Sequence, residues 1–194
     1  MENRTERQLE IIETAGKILT EDGVHGLTTK KLANRVGFSE SAIYRHFKSK
    51  EDIIVSLLLH LSESMDERFI DLELSEDDPV YNFETLFKSQ LNFFSEQPHY
   101  VVAVFSDGLL EESDRVNEAI ETIMQTKMKH LMPIITSGKQ KQVFTNTIST
   151  QDLMSIVMGT FRLQMYKWRL SGFEFDIVLR GSNTIQSLLT LIKK

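Results

Sequence analysis

The chain has 194 residues, a mass of 22.4 kDa and a formal net charge of -6, with hydrophobic residues at 41% and charged residues at 26%. That is the balance of a folded globular protein rather than a disordered one, and the length suits one large domain or a small domain joined to a medium one. Cysteine is absent, which removes a disulfide scaffold, a thiolate metal site and a cysteine nucleophile together.

Nine glycines and three prolines are about half the usual share of roughly 12%, so a helix-rich chain is expected. The residues Met1 to Arg7 mix both charges and lead into no apolar core, unlike a secretory signal. The most apolar stretch, Ile53 to Leu61, contains Ser56 and His60 and falls far short of the roughly 20 residues of a membrane span. A cytoplasmic protein with no membrane segment is expected.

In chain order, Leu9, Ile12, Ala15, Ile18 and Leu19 form an i, i+3, i+4 stripe that Gly23 and Gly26 close. Thr28 is placed to cap a short helix bearing Leu32, Ala33 and Val36, which Gly37 breaks. Ser39 is placed to cap a second, with Ala42, Ile43 and Phe47. A longer helix follows with Ile54, Leu57, Leu58, Leu61, Met65 and Phe69 on one face. Asp78 and Pro79 open a helix carrying Phe83, Leu86, Phe87, Leu91 and Phe94. Pro98 opens a segment with Val101, Val104 and Phe105. Asp114 is placed to cap a helix with Val116, Ile120, Ile123, Met124 and Leu131, which Pro133 should kink or end and Gly138 should stop. Lys139 to Thr147 reads as loop. Ser149 to Asp152 has capping-box spacing before Leu153, Ile156, Val157, Thr160, Phe161, Met165 and Trp168. The final helix starts near Asp176 with Val178, Leu179, Ile185, Leu188, Leu189 and Ile192. The fold class is all-α, with about nine helices and no alternating strand pattern.

Charge is uneven. Residues 26–50 carry Lys30, Lys31, Arg35, Arg45, Lys48 and Lys50 against Glu40 alone, a local balance of +5, whereas residues 51–194 balance at -8. An acidic body with one compact basic segment indicates a localised anion-binding face. The same segment reads as helix, tight turn, helix. Ala33 supplies a small side chain at the crossing, Gly37 a residue free to adopt positive φ, and Ile43 an inward aliphatic, the combination that locks a helix-turn-helix. The outward face of its second helix offers Glu40, Ser41, Tyr44, Arg45 and His46, behind the capping Ser39. Such side chains reach base edges or phosphates from the major groove, and Thr29, Lys30, Lys48 and Lys50 flank them. Tyr44 suits either backbone contact or packing. Glu40 suits either a cytosine amino group or the helix dipole.

The run Gly26 to Ala33, then Gly37-Phe38-Ser39, then Ala42 to Glu51 resembles the TetR family of transcription regulators. The specific likeness spans about residues 8–58. Two positions depart from its pattern: Val36 replaces the usual Ala before the turn glycine, and Ser41 stands where Gly or Pro is frequent. A later echo, Trp168 to Asp176, is similar to the loop before the last helix of many members. The resemblance implies a three-helix helix-turn-helix DNA-binding domain over residues 1–50 and a helical effector-binding and dimerisation domain over 51–194. It implies phosphate or base contacts from Thr29 and Lys30, recognition-helix roles for Glu40, Ser41, Tyr44 and His46, and a phosphate clamp at Lys50. Helix 4 would transmit changes from an effector pocket.

The implied partners are a double-stranded, near-palindromic operator, a small apolar or aromatic effector, and a second copy docked through the last two helices, where Gly159, Ser182 and Ser187 permit close packing. A dimer would space its reading helices about 34–36 Å apart. Repression is the family's usual mode. Candidates to line the effector site are Phe87, Gln90, Phe94, Phe105, Met124, Phe161, Gln164 and Trp168. An amide on an apolar face, as at Gln90 and Gln164, is either a ligand-orienting group or a buried residue bonding backbone. The abundant Phe and Met fit an adaptable cavity or a plain helical core.

The rival readings are a small enzyme and an all-helical interaction module. The five histidines show no zinc-like spacing, and His60 with Glu63 makes only half of a carboxylate metal site. Asp107, Glu111, Glu112 and Asp114 read as solvated charges and caps. No cofactor and no metal are expected.

Overall fold

The computed structural model describes residues 4–105 and 113–194. These residues are all-α, with nine helices among them: α1 Glu6–Gly26, α2 Thr29–Val36, α3 Glu40–His46, α4 Lys50–Ile70, α5 Pro79–Glu96, α6 His99–Phe105, α7 Asp114–Gln140, α8 Thr150–Leu170 and α9 Ile177–Ile192. The extended pairing among the described residues is an isolated antiparallel bridge between Phe144 and Lys193. No helix among them is long and apolar enough to cross a membrane.

Local chemistry sets most boundaries. Thr5 and Gln8 form a reciprocal capping box at the start of α1. Gly23, at φ 69°, interrupts α1 one turn before its end. Thr28 accepts from the Lys31 amide and Ser39 from the Ala42 amide, so both hydroxyls cap the helices that their positions predict. Asp78 caps α5 with Pro79 in its first turn, and Asp176 caps α9. Ser149 accepts from the Asp152 amide and donates to its carboxylate.

Three expectations about α7 require correction. Its first turn is capped by the Ser113 hydroxyl, which accepts from the Val116 amide, and not by Asp114. Of the kink or end expected at Pro133, the end does not occur; α7 continues to Gln140. The proline ring lies on the exposed side of the helix. Gly138 is not a stop but a point of close approach: a Cβ there would lie 2.1 Å from the Phe144 ring. Phe144, read as loop, is fully buried.

The fold divides into two units, Met1–Ser64 with Pro98–Ile123, and Met65–Gln97 with Met124–Lys194. In the first, α1 packs against α2 and α6. Ile11, Ile12, Ala15, Ile18 and Leu19 of α1 are fully buried beside Leu32, Ala33 and Ile43. The approach of α6 is close: a Cβ on Gly16 would sit 2.4 Å from the His99 ring. Arg115 donates to Glu51 and Asp52 at 2.9 and 2.7 Å, and its hydrogen bond holds the Asp52 carboxyl below the usual range. In the second unit, α9 packs on α5 and α8. Leu91 fills the space where Gly181 has no side chain, and Phe83, Phe87 and Phe144 are among the largest fully buried side chains. Asp66 accepts from Lys129 and His130 at 2.8 and 2.6 Å, and those bonds, Lys129's first, lower its pKa.

Candidate nucleic-acid interface and effector core

The turn between α2 and α3 is built by one residue's conformation. Gly37 adopts φ 78°, the left-handed region. The Gly37 and Phe38 amides both point back to the Ala33 carbonyl, the Phe38 bond measuring 2.8 Å, which closes α2 in a Schellman-type cap. Ala33 and Ile43 are buried on either side of the turn. The small–glycine–aliphatic trio therefore fixes the crossing of the two helices, and α3 turns its polar face outward.

On that face Glu40, Ser41, Tyr44 and Arg45 are exposed, Tyr44 by 53%. The Tyr44 hydroxyl lies 3.3 Å from the Thr29 hydroxyl, joining the start of α2 to the middle of α3. Tyr44 is thus a surface residue. Ser39 lies 2.9 Å from Ser41 through their hydroxyls while serving as the α3 cap. His46 is half-buried and lines a cleft with Arg4, Gln8, Phe47, Asp52 and Arg115, so it sits to the side of the α3 face.

The structure refines the +5 segment. Lys31 pairs with Asp22 at 2.6 Å and Arg35 pairs with Glu21. That hydrogen bond lowers the Glu21 pKa and raises the Arg35 pKa. The Lys50 ammonium donates to the Val24 carbonyl at 3.2 Å. Lys30, Arg45 and Lys48 remain exposed and carry no ion pair among the described residues. Three free cations beside one exposed polar helix face supply the kind of charge that a phosphate backbone would need. The acids that neutralise the other two lie at the end of α1, outside the window in which the charge was counted.

The expected effector residues scatter more widely. Phe87, Phe94 and Phe161 come together, with Phe161 5.5 Å from the Phe87 ring and 6.2 Å from the Phe94 ring. Gln90, on the same face of α5, is 1% exposed and its Oε1 has no hydrogen-bond partner. Gln164 instead donates to the Thr184 hydroxyl at 2.7 Å, tying α8 to α9. Trp168 is buried, with its ring edge-on to Phe173 at 4.8 Å and its Nε1 unpartnered. Phe105 belongs to the other unit. Met124 is 43% exposed and does not hold the α7 stripe assigned to it.

The inward position is taken by Lys127, which sequence reasoning missed. It is 6% exposed, with its ammonium 3.3 Å from the Phe161 ring centroid and 5.4 Å from that of Phe87. Burial pulls its pKa well below the ordinary lysine value. Its signal was present, since it stands four residues after Ile123 and four before Leu131, on the apolar stripe. Elsewhere, Glu63 of the supposed half metal site pairs with Arg4. Among the described residues no group of three His, Asp or Glu side chains is arranged to hold a metal ion. Asp107, Glu111 and Glu112 lie outside the described residues.

A family model for bacterial regulatory proteins of the tetR family matches residues 11–57. A second, for the C-terminal region of YsiA-like proteins, matches residues 60–191. The chain belongs to the TetR family. It is a transcriptional regulator, with the helix-turn-helix in its first part and a helical C-terminal region after it. The fatty acid metabolism regulator protein of Bacillus subtilis (strain 168) is 22% identical over 190 residues, covering 98% of this chain and 97% of that protein. Nucleoid occlusion factor SlmA of Aliivibrio fischeri is 26% identical over 171 residues, covering 88% and 87%. Among solved structures, FadR from Bacillus subtilis in complex with stearoyl-CoA superposes with a TM-score of 0.83 at 20% identity, covering 95% of this chain and 98% of that one. FadR from Bacillus halodurans gives 0.87 at 18% identity, covering 97% of each. At such identities the superpositions attest the fold alone.

Proposed function

We propose that the chain is a cytoplasmic repressor that binds a near-palindromic operator as a homodimer and is released by a small apolar or aromatic effector. Residues 1–50 read the DNA in this account, and residues 51–194 bind the effector and pair the two copies. The observation that carries the reading is the exposed face of α3, Glu40, Ser41, Tyr44 and Arg45, flanked by the unpaired Lys30 and Lys48. A helix presenting hydrogen-bonding groups between free cations enters a major groove and holds the phosphates on either side. Thr29, joined to Tyr44, takes the same backbone, and Lys50 takes it by exchanging the Val24 carbonyl for a phosphate oxygen. Ser39 and His46 stand at the two ends of the recognition helix.

The C-terminal reading is supported by two features of the second unit. Phe87, Phe94 and Phe161 gather around a buried amide, the composition of a small-molecule site with few polar groups. Relatives named for fatty acid metabolism, one in complex with stearoyl-CoA, favour a lipidic effector. On the outside, Ile156, Leu163 and Leu170 repeat every seven residues along α8 and are all exposed, with Gly159 between them and Leu179 and Leu191 exposed on α9. An apolar stripe of this length with a glycine in it suits a helix from a second copy.

The test is binding to the duplex upstream of the protein's own gene, measured by fluorescence anisotropy over a range of salt. Wild-type protein should show sequence preference and a steep salt dependence. Lys48→Ala should weaken binding to all sequences and reduce the slope of log K against log salt by about 1. Tyr44→Ala should weaken operator binding with an unchanged melting temperature. Binding with no sequence preference and unaffected by either substitution refutes the assignment and favours an interaction module or an enzyme.

A further inference from the structure

An ammonium in an apolar interior is expensive unless something compensates its charge. Lys127 has no carboxylate partner among the described residues, and the aromatic faces it touches offset only part of that cost. A methionine or leucine would complete the α7 stripe without the penalty. A second buried polar group lies on the face of α5 that carries Phe87 and Phe94. Gln90 lies one turn from Phe87 and one turn from Phe94 on α5, and Phe161 packs against both of those rings. The Lys127 ammonium sits on that same Phe161. The Gln90 Oε1, which has no hydrogen-bond partner, and an ammonium held against aromatic faces therefore border one aromatic cluster, all within the second unit.

We propose that Lys127 and Gln90 receive the carboxylate of an apolar organic acid whose body lies against Phe87, Phe94 and Phe161. The ammonium donates to one carboxylate oxygen and supplies the opposite charge. The Gln90 amide, turned half a rotation about its last bond, presents its N–H to the other oxygen. Without an acid, burial keeps the lysine's proton weakly held; with one, the pair is neutral overall and the lysine keeps its proton. The proposal rests on the effector reading above and narrows it. Effectors are acids, and the equivalent alcohols and thioesters are discriminated against by the missing charge.

The experiment is isothermal titration calorimetry on the full chain with no DNA present. The probes are decanoate and 4-phenylbutyrate, their alcohols decanol and 4-phenylbutanol, and decanoyl-CoA. At least one acid should bind wild-type protein tenfold or more tightly than its alcohol. Lys127→Met should lose at least tenfold in affinity for that acid while binding the alcohol at least as well as wild type. Gln90→Leu should lose less. Lys127→Gln serves as the second variant should the methionine form fail to fold. Neither acid binding, or equal acid affinity in wild type and the Lys127 variants, overturns the proposal. So does decanoyl-CoA binding that is indifferent to Lys127 while decanoate does not bind. Operator affinity of the ligand-free proteins is measured separately. Its loss in every form would sink the regulator reading and leave the calorimetric result to decide the acid site by itself.

Discussion

His99 illustrates how one buried side chain writes a pH dependence into the fold. It is buried at the start of α6, its ring against Gly16 of α1 and stacked on Tyr100 with centroids 4.3 Å apart. Burial, with the nearby Lys17 charge adding to it, pulls its pKa down to about 4. The folded pKa is below the unfolded one, so the unfolded chain binds the proton first as pH falls. Stability from this residue is complete above about pH 6.5 and is lost on descent toward about pH 4. The slope is about 1.4 kcal/mol per pH unit per proton, so roughly 2 kcal/mol should be lost between pH 6.5 and 5. Urea titrations across that range should find this limb in wild type and its absence in His99→Gln; equal limbs in both would place the proton elsewhere. Nothing in the sequence marked His99. Its burial depends on Gly16, more than eighty positions away. Lys127 was different, because a charged residue at an apolar stripe position is visible by counting. Met124, expected on the same stripe, is 43% exposed.

The helices themselves were largely legible, because caps and turn glycines act within four residues of where they stand. Thr28, Ser39, Asp78 and Ser149 each accept the amide that their spacing predicts, and Asp176, near which the last helix is expected to start, caps it. α7 departs from its local signals for the converse reason. A proline forbids one backbone hydrogen bond and crowds one carbonyl, but burial of Leu131, Ile134 and Ile135 on both sides of Pro133 keeps the helix going. Packing there outweighs a local preference. Gly138 has the local signature of a stop, yet it admits the Phe144 ring, a contact no local pattern announces. The α2–α3 turn makes the sharpest test of local reasoning. A Cβ on Gly37 would meet no atom within 4 Å, so Gly37→Ala adds no clash and carries only the penalty of a left-handed alanine, about 1 kcal/mol. Chemical denaturation should find that loss, with Gly37→Asn closer to wild type. A loss of several kcal/mol would mean that the turn is held by contacts rather than by conformation.

In the proposed dimer, operator reading depends on distance. Each copy carries a small head with three free cations, Lys30, Arg45 and Lys48, and an exposed apolar stripe, Ile156, Leu163 and Leu170. The head was readable because its motif is contiguous; the proposed pairing surface is nameable from sequence only as two helices, since which side of a helix faces water depends on the whole core. Leu163→Glu should convert the dimer to a monomer in sedimentation velocity and should lower operator affinity without changing the head. Two heads held about 34–36 Å apart meet the same groove face one turn apart. The decisive measurement is therefore anisotropy titration of wild-type protein on two duplexes, the inverted-repeat operator and the same operator with roughly five base pairs, half a turn, inserted between its half-sites. The paired-head account expects the insertion to cut affinity at least a hundredfold, to the level of Leu163→Glu on the intact site. Equal affinity for the two duplexes would mean that the copies read DNA independently, and the account of a dimer that measures its operator would fall.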